Sequence, residues 1–330
     1  MDRDTPPAPS RRHVLVGAGV VIGGATAAAV GVQWWRGAQP GPAPNEPPDT
    51  ELDALAAATL SGGPGPDGIP PIDAPRFVTA DKADFLHDAD PVFGLVHRGE
   101  VRAYPQQILV WHEIVNDTVG GEPLSVTYCP LTGTAIAYLS PPGDVRTFGT
   151  TGRLVNSNLL MYDRATESQW PQILGVAISG PLKGTRLDTV PLVWTTWRAW
   201  RTVHPNTLML STDTGALRDY GRDPYGSYLS ATGYYFEDDT LFPVRHVSDR
   251  YGNKEVVVGV RDGSDRFAVL KDRVRRDRSV TIGPTGKLVA EWDDRLDAAV
   301  VRRADTAAPA DFMDAMWFAW HAFYPQAQVW

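Results

Sequence analysis

Three short segments hold most of the side chains that could do chemistry in this 330-residue chain. They are Trp111-His112-Glu113-Ile114-Val115-Asn116-Asp117, Tyr128-Cys129-Pro130-Leu131-Thr132-Gly133-Thr134, and Asn156-Ser157-Asn158-Leu159-Leu160-Met161-Tyr162-Asp163-Arg164. Cys129 is the only cysteine, and Pro130 and Gly133 make the backbone after it a turn, which suits a side chain held at the mouth of a pocket. A thiolate and a neutral imidazole are good ligands for Cu or Zn. Cys129 and His112, with Met161, His204 or His321 as third donor, therefore make a candidate soft metal or redox site. The same thiol with His112 and Asn116 or Asn156 fits a cysteine-hydrolase pattern, the imidazole holding sulfur as thiolate and the amide fixing the ring. A plainer reading stands beside both. Free cysteine is among the most buried residue types, and His112 would then cap a helix end with Glu113 turned to water.

The third segment has the densest hydrogen-bonding capacity. If Asn158 to Tyr162 is a strand, Asn158, Leu160 and Tyr162 share one face while Leu159 and Met161 share the other. Asn156, Asn158, Asp163 and Arg164, with Trp170 as an aromatic wall, form a candidate contact set for a polar small molecule or a glycan, and Arg164 offers a planar fork to a carboxylate. Asp163 suits equally well a polar lock that fixes the turn after the strand. Trp194, Trp197 and Trp200 could extend such a wall, but Trp197 and Trp200, three apart on a helix, read as core.

Positioning these segments requires short strands and turns. Val92 to Val96, His97 to Glu100 and Val101 to Tyr104 read as strand, tight turn and strand, with a second copy at Val256 to Val260, Arg261 to Asp265 and Arg266 to Leu270. Trp197-x-x-Trp200-x-x-x-His204-Pro205-Asn206 recurs as Trp317-x-x-Trp320-x-x-x-Tyr324-Pro325-Gln326, each proline marking the end of a helix. Pro105 to Val115 carries Ile108, Leu109, Trp111 and Ile114 at the spacing of a short amphipathic helix. Asp53 to Leu60 predicts another short helix, and Leu124 to Tyr128, Val145 to Thr150 and Val176 to Ser179 predict further strands. The predicted fold is a β-rich α+β one: two related halves of short antiparallel strands with a few short Trp-rich helices, in a single domain over 76–330.

The chain opens with Ser10-Arg11-Arg12-His13-Val14-Leu15 and an uncharged Gly- and Ala-rich run to Gln33. A twin arginine before a moderately apolar segment is the address of folded-state export. Residues 1–36 are therefore a twin-arginine signal or an N-terminal anchor through 14–33, and the protein is expected to be exported, meeting a membrane only through that segment. Residues 37–75, rich in Pro and Gly, predict a linker. A hydrophobic content of 43% with 11 tryptophans implies a substantial core, and a net charge of −8 argues against nucleic acid as partner. One cysteine excludes an intrachain disulfide.

From about Arg76 onward the chain resembles the prokaryotic domain-of-unknown-function family 3179. The Tyr128–Thr134, Asn156–Arg164 and Trp111–Asp117 segments and Gly180-Pro181-Leu182-Lys183-Gly184 carry the likeness. The resemblance implies a second cysteine in many relatives where this chain has Thr132, so a two-cysteine motif is closed to it. It implies kinship and no established activity. Three readings of function follow: an exported metal-binding or redox protein using Cys129 and His112, a non-catalytic binder of a polar small molecule or glycan, and a Cys129-dependent hydrolase. The first is taken as the leading expectation.

Overall fold

The computed structural model describes residues 47–140 and 147–330. The twin-arginine segment, the apolar run of 14–33, the linker as far as residue 46 and the start of the strand predicted from Val145 lie outside them. The described chain is β-rich, with five short helices and mostly antiparallel strands.

Five sheets are arranged like the blades of a five-bladed β-propeller. The first runs β1 (Leu60–Ser61), β8 (Phe148–Val155), β9 (Asn158–Asp163) and β10 (Gln169–Pro171). The second is β11 (Thr189–Val190), β7 (Thr134–Leu139), β6 (Glu122–Cys129) and β5 (Ile114–Val119). The third is β12 (Val193–Thr196), β3 (Pro91–His97), β4 (Glu100–Pro105), β13 (Leu208–Leu210) and β2 (Phe77–Thr79). The fourth is β21 (Asp311–Met316), β16 (Val256–Asp262), β17 (Asp265–Leu270) and β22 (Gln328–Val329), and the fifth is β18 (Ser279–Ile282), β19 (Leu288–Asp293) and β20 (Ala298–Arg303). A small pair, β14 (Gly226–Ser227) and β15 (Thr232–Gly233), lies within the long connection 211–255. Helix α1 (Asp49–Ala57) leads the described chain. Helices α2 (Gln106–His112), α3 (Trp197–Val203), α4 (Lys271–Asp277) and α5 (Trp317–Phe323) follow β4, β12, β17 and β21.

One order of elements therefore occurs twice. The first run is β3-β4-α2-β5-β6-β7 and, after β8–β11, β12-α3-β13; the second is β16-β17-α4-β18-β19-β20-β21-α5-β22. The registers match as well. β13 pairs parallel to β4 with Leu208 opposite Arg102, and β22 pairs parallel to β17 with Gln328 opposite Phe267. In each run an indole lies flat on a glycine. A Cβ on Gly94 would stand 2.2 Å from the Trp200 ring, and one on Gly259 would stand 2.3 Å from that of Trp320. The β3–β4 turn is closed by Arg98 and Gly99, both at positive φ (48° and 85°) as a two-residue hairpin loop requires.

Some elements differ from expectation for local reasons. Helix α2 stops at His112 because Glu113 takes a φ of 58°, which frees Ile114 and Val115 to pair in β5. Val176 to Ser179 makes only isolated bridges, because Gly175 and Gly180 on either side take φ values of 65° and 88° and bend the chain. Helix α1 begins at Asp49 and ends at Ala57. The second part of the expected linker packs on the folded body: Leu52 and Leu55 enter the core, and Ile72 is buried beside Val115.

Candidate functional site

Cys129 ends β6 and is fully buried, its sulfur accepting from the Leu159 amide at 3.4 Å and lying 3.9 Å from the Ser157 carbonyl oxygen. Burial, and after it the Glu113 carboxylate, push the thiol up to about 11, so it is protonated at neutral pH and a poor nucleophile. His112 is buried at the end of α2 with both ring nitrogens engaged. Nδ1 donates to the Pro70 carbonyl at 2.7 Å, and Nε2 lies 2.6 Å from the Tyr220 hydroxyl. Burial lowers its pKa, so the ring is neutral and Nε2 accepts from Tyr220. Among the described residues no hydrogen bond joins His112 to Cys129, and no three His, Cys, Asp or Glu side chains gather as metal ligands. Met161 shares a core cluster with Cys129, whereas His204 and His321 pack in tilted contact against Trp200 and Trp317.

The amide-rich segment spends its capacity on the fold. Asn158 Nδ2 donates to Thr132 Oγ1 at 3.1 Å and to Gln172 Oε1 at 2.9 Å, while its Oδ1 accepts from the Ile173 amide at 2.8 Å. Gln172 also accepts from Thr134 and donates to Thr127, so one buried network ties the first sheet to the second. Asn156 donates to the Ala322 carbonyl and accepts from the Arg245 amide. Asn116 is saturated by Asp73, Ser125 and Phe148. Asp163 caps the turn by accepting from the Thr166 amide at 2.7 Å and holds the Trp170 indole at 3.1 Å. Trp170 is wholly buried and presents no face to a ligand. Arg164 donates to Asp73 at 2.7 Å, pinning the chain that precedes β2.

An open cavity of about 450 Å³ lies over the turn after Cys129. It is walled by Trp194, Tyr228, Tyr235 and Phe236, with Gly133 and Met316 at its floor and Lys254, Lys271, Asp238, Glu255 and Asp314 around it. The aromatic wall is held rigidly: the Tyr228 and Tyr235 rings stack at 3.9 Å, and Trp194 meets Tyr228 edge-on at 5.3 Å. Gln106, at the start of α2, donates to Asp223 at 2.8 Å, and the Tyr235 hydroxyl donates to the same carboxylate at 2.7 Å. Lys271 pairs with the buried Asp314. Lys254 donates to the Tyr234 carbonyl at 2.8 Å and lies 3.0 Å from the centre of the Tyr234 ring. Burial lowers its pKa to about 8 against the opposing pull of Glu237, Asp238 and Asp239.

Glu113, expected to face water, is 6% exposed, and burial raises its carboxyl to about 8. Of the pocket's aromatic and charged side chains only Trp194 was weighed from the sequence, as part of an aromatic wall. One usable signal was lysine scarcity: Lys254 and Lys271 are two of only five lysines in a chain with 31 Lys and Arg residues, and both line one cavity. The sequence model of a family described as "Protein of unknown function (DUF3179)" matches residues 66–311. No curated protein and no solved structure matches the chain.

Proposed function

The chain belongs to the DUF3179 family, and from the pocket itself we propose that it is an exported, non-catalytic binder of a polar, ring-bearing small molecule, a saccharide above all. The observation that carries this is an accessible aromatic wall ringed by hydrogen-bonding groups of both signs in a cavity of ligand size. A sugar ring presents apolar C–H faces that pack on Trp194 or Tyr228, while its hydroxyls take hydrogen bonds from Lys254 and give them to Asp238 and Glu255. The twin-arginine sequence supports the exported location. A metal or redox role through Cys129 and His112 has less support, because both imidazole nitrogens are engaged elsewhere.

Calorimetry with a panel of mono- and disaccharides tests the reading. Binding should be lost in Trp194→Ala and Tyr228→Ala and kept in Cys129→Ser. A folded wild type that binds no member of the panel overturns it.

We also infer that the two runs of elements are related halves. Matching parallel registers and the paired glycine–indole contacts support this.

A further inference from the structure

Lys254 stands on the wall of the aromatic cavity, where a hydrogen bond to a guest uses only part of what an amine can do. The main chain around it is pinned to α5: the Trp317 amide donates to the Glu255 carbonyl at 2.8 Å, and the Phe318 amide donates to the Asn253 carbonyl at 3.2 Å. The side chain is fixed as well. Nζ donates to the Tyr234 carbonyl at 2.8 Å and lies 3.0 Å from the centre of the Tyr234 ring and 5.8 Å from that of Phe318. Among the described residues no carboxylate comes within ion-pairing distance of it, whereas Lys271, the cavity's other lysine, is tied to Asp314. Asp238 and Glu255, which share the cavity wall, accept backbone amides instead, from Asn253 at 2.8 Å and Gly252 at 3.0 Å. Burial outweighs the more distant pull of Glu237, Asp238 and Asp239, so the amine titrates at about 8.

We propose that Lys254 captures small aldehydes and ketones in this cavity as a reversible imine, the open-chain form of a reducing sugar among them. The Nζ lone pair attacks the carbonyl carbon, and the C=O π pair moves to oxygen. The resulting carbinolamine takes one proton from solvent and loses water, leaving a protonated imine whose nitrogen keeps one hydrogen. The attack requires an uncharged amine. About a fifth of Lys254 is neutral at pH ~7.4, against about one part in a thousand for an ordinary lysine. The product suits the site, because the remaining N–H keeps the Tyr234 carbonyl as acceptor and the positive charge stays over the Tyr234 ring. The cavity of about 450 Å³ leaves room for the captured carbon chain. This chemistry needs the cavity and not the saccharide: any guest of that size with an accessible carbonyl serves.

Propanal with cyanoborohydride, which reduces the imine to a stable secondary amine, tests the proposal on the full chain. At pH ~7.4, peptide mapping should find Lys254 alkylated at least about tenfold faster than the other four lysines, Lys82, Lys183, Lys271 and Lys287; the map also separates it from the α-amino group. The Lys254 rate should level off above pH ~8. Without reductant, dilution should return unmodified protein. Lys254→Arg should remove the fast adduct and leave the other lysines' rates and the circular dichroism unchanged. Alkylation of Lys254 no faster than that of the other lysines, or a fast lysine adduct that persists in Lys254→Arg, overturns the proposal. If Lys254→Arg does not fold, the ranking of rates in the wild type decides. Propanal carries no sugar hydroxyls, so the test runs whether or not any member of the saccharide panel binds, and either reading can fail alone.

Discussion

Trp200 and Trp320 occupy the same place on α3 and α5, yet only one indole has its hydrogen bond. Trp200 Nε1 donates to Thr207 Oγ1 at 3.0 Å, whereas Trp320 Nε1 is buried with no partner. Thr207 and Ala327 hold equivalent positions after their helices, the first donating its amide to the His204 carbonyl at 3.1 Å and the second to that of Tyr324 at 2.9 Å. Ala327→Thr should therefore hand Trp320 the acceptor it lacks. An unpaired buried donor costs about 1–3 kcal/mol, and ordering the new side chain takes back up to about 1 kcal/mol. A net stabilisation of about 1 kcal/mol remains, equivalent to about 2 °C in Tm for a domain of this size. Urea denaturation should show a higher midpoint at constant slope. The mirror substitution, Thr207→Ala, should cost about 1–3 kcal/mol. If Ala327→Thr is neutral or destabilising while Thr207→Ala is costly, the two positions are not equivalent and the reasoning fails.

Gly94→Ala and Gly259→Ala should each lose about 1–3 kcal/mol, because the new methyl collides with an indole ring; midpoints within error of wild type would show that the ring can move aside. Stability should fall as pH rises from about 4.5 to about 8, because over that window the folded chain keeps a proton on Glu113 that the unfolded chain has released. Glu113→Gln should flatten that fall, matching wild type near pH ~4 and exceeding it by at most about 4–5 kcal/mol near pH ~9; parallel stability curves for the two proteins would refute the burial argument. Cys129→Ser places a hydroxyl where the sulfur bonds only weakly to Leu159 and Ser157, so it should cost about 1–3 kcal/mol in chemical denaturation. Loss of saccharide binding in that variant would tie the thiol to the pocket after all.

The fold was legible where local chemistry and pairing agree. The strand-turn-strand pattern and the Trp-x-x-Trp helices could be read because their spacing matches the geometry they adopt. Asp163 as a turn lock was legible for the same reason, its carboxylate reaching the amide three residues on. The propeller-like arrangement was not, because strand spacing says little about which sheets face one another. The pocket was hidden more deeply: Trp194, Tyr228, Lys254 and Asp314 come from β12, the 211–255 connection and β21, far apart in the chain. Asn156 and Asn158 looked like ligand contacts because a sequence shows hydrogen-bonding capacity and not its partners. The Gln172 amide that engages Asn158 lies on an irregular segment after β10.

The first run of elements carries β8, β9 and β10, three of the four strands of the first sheet, and the edge strand β11 between β7 and β12, while the second passes from β20 to β21 through residues 304–310 alone. Residues 304–307 are exposed. That bend is thus the natural splice point for a foreign module whose two ends lie close together, and such a graft there would copy what the other half already tolerates.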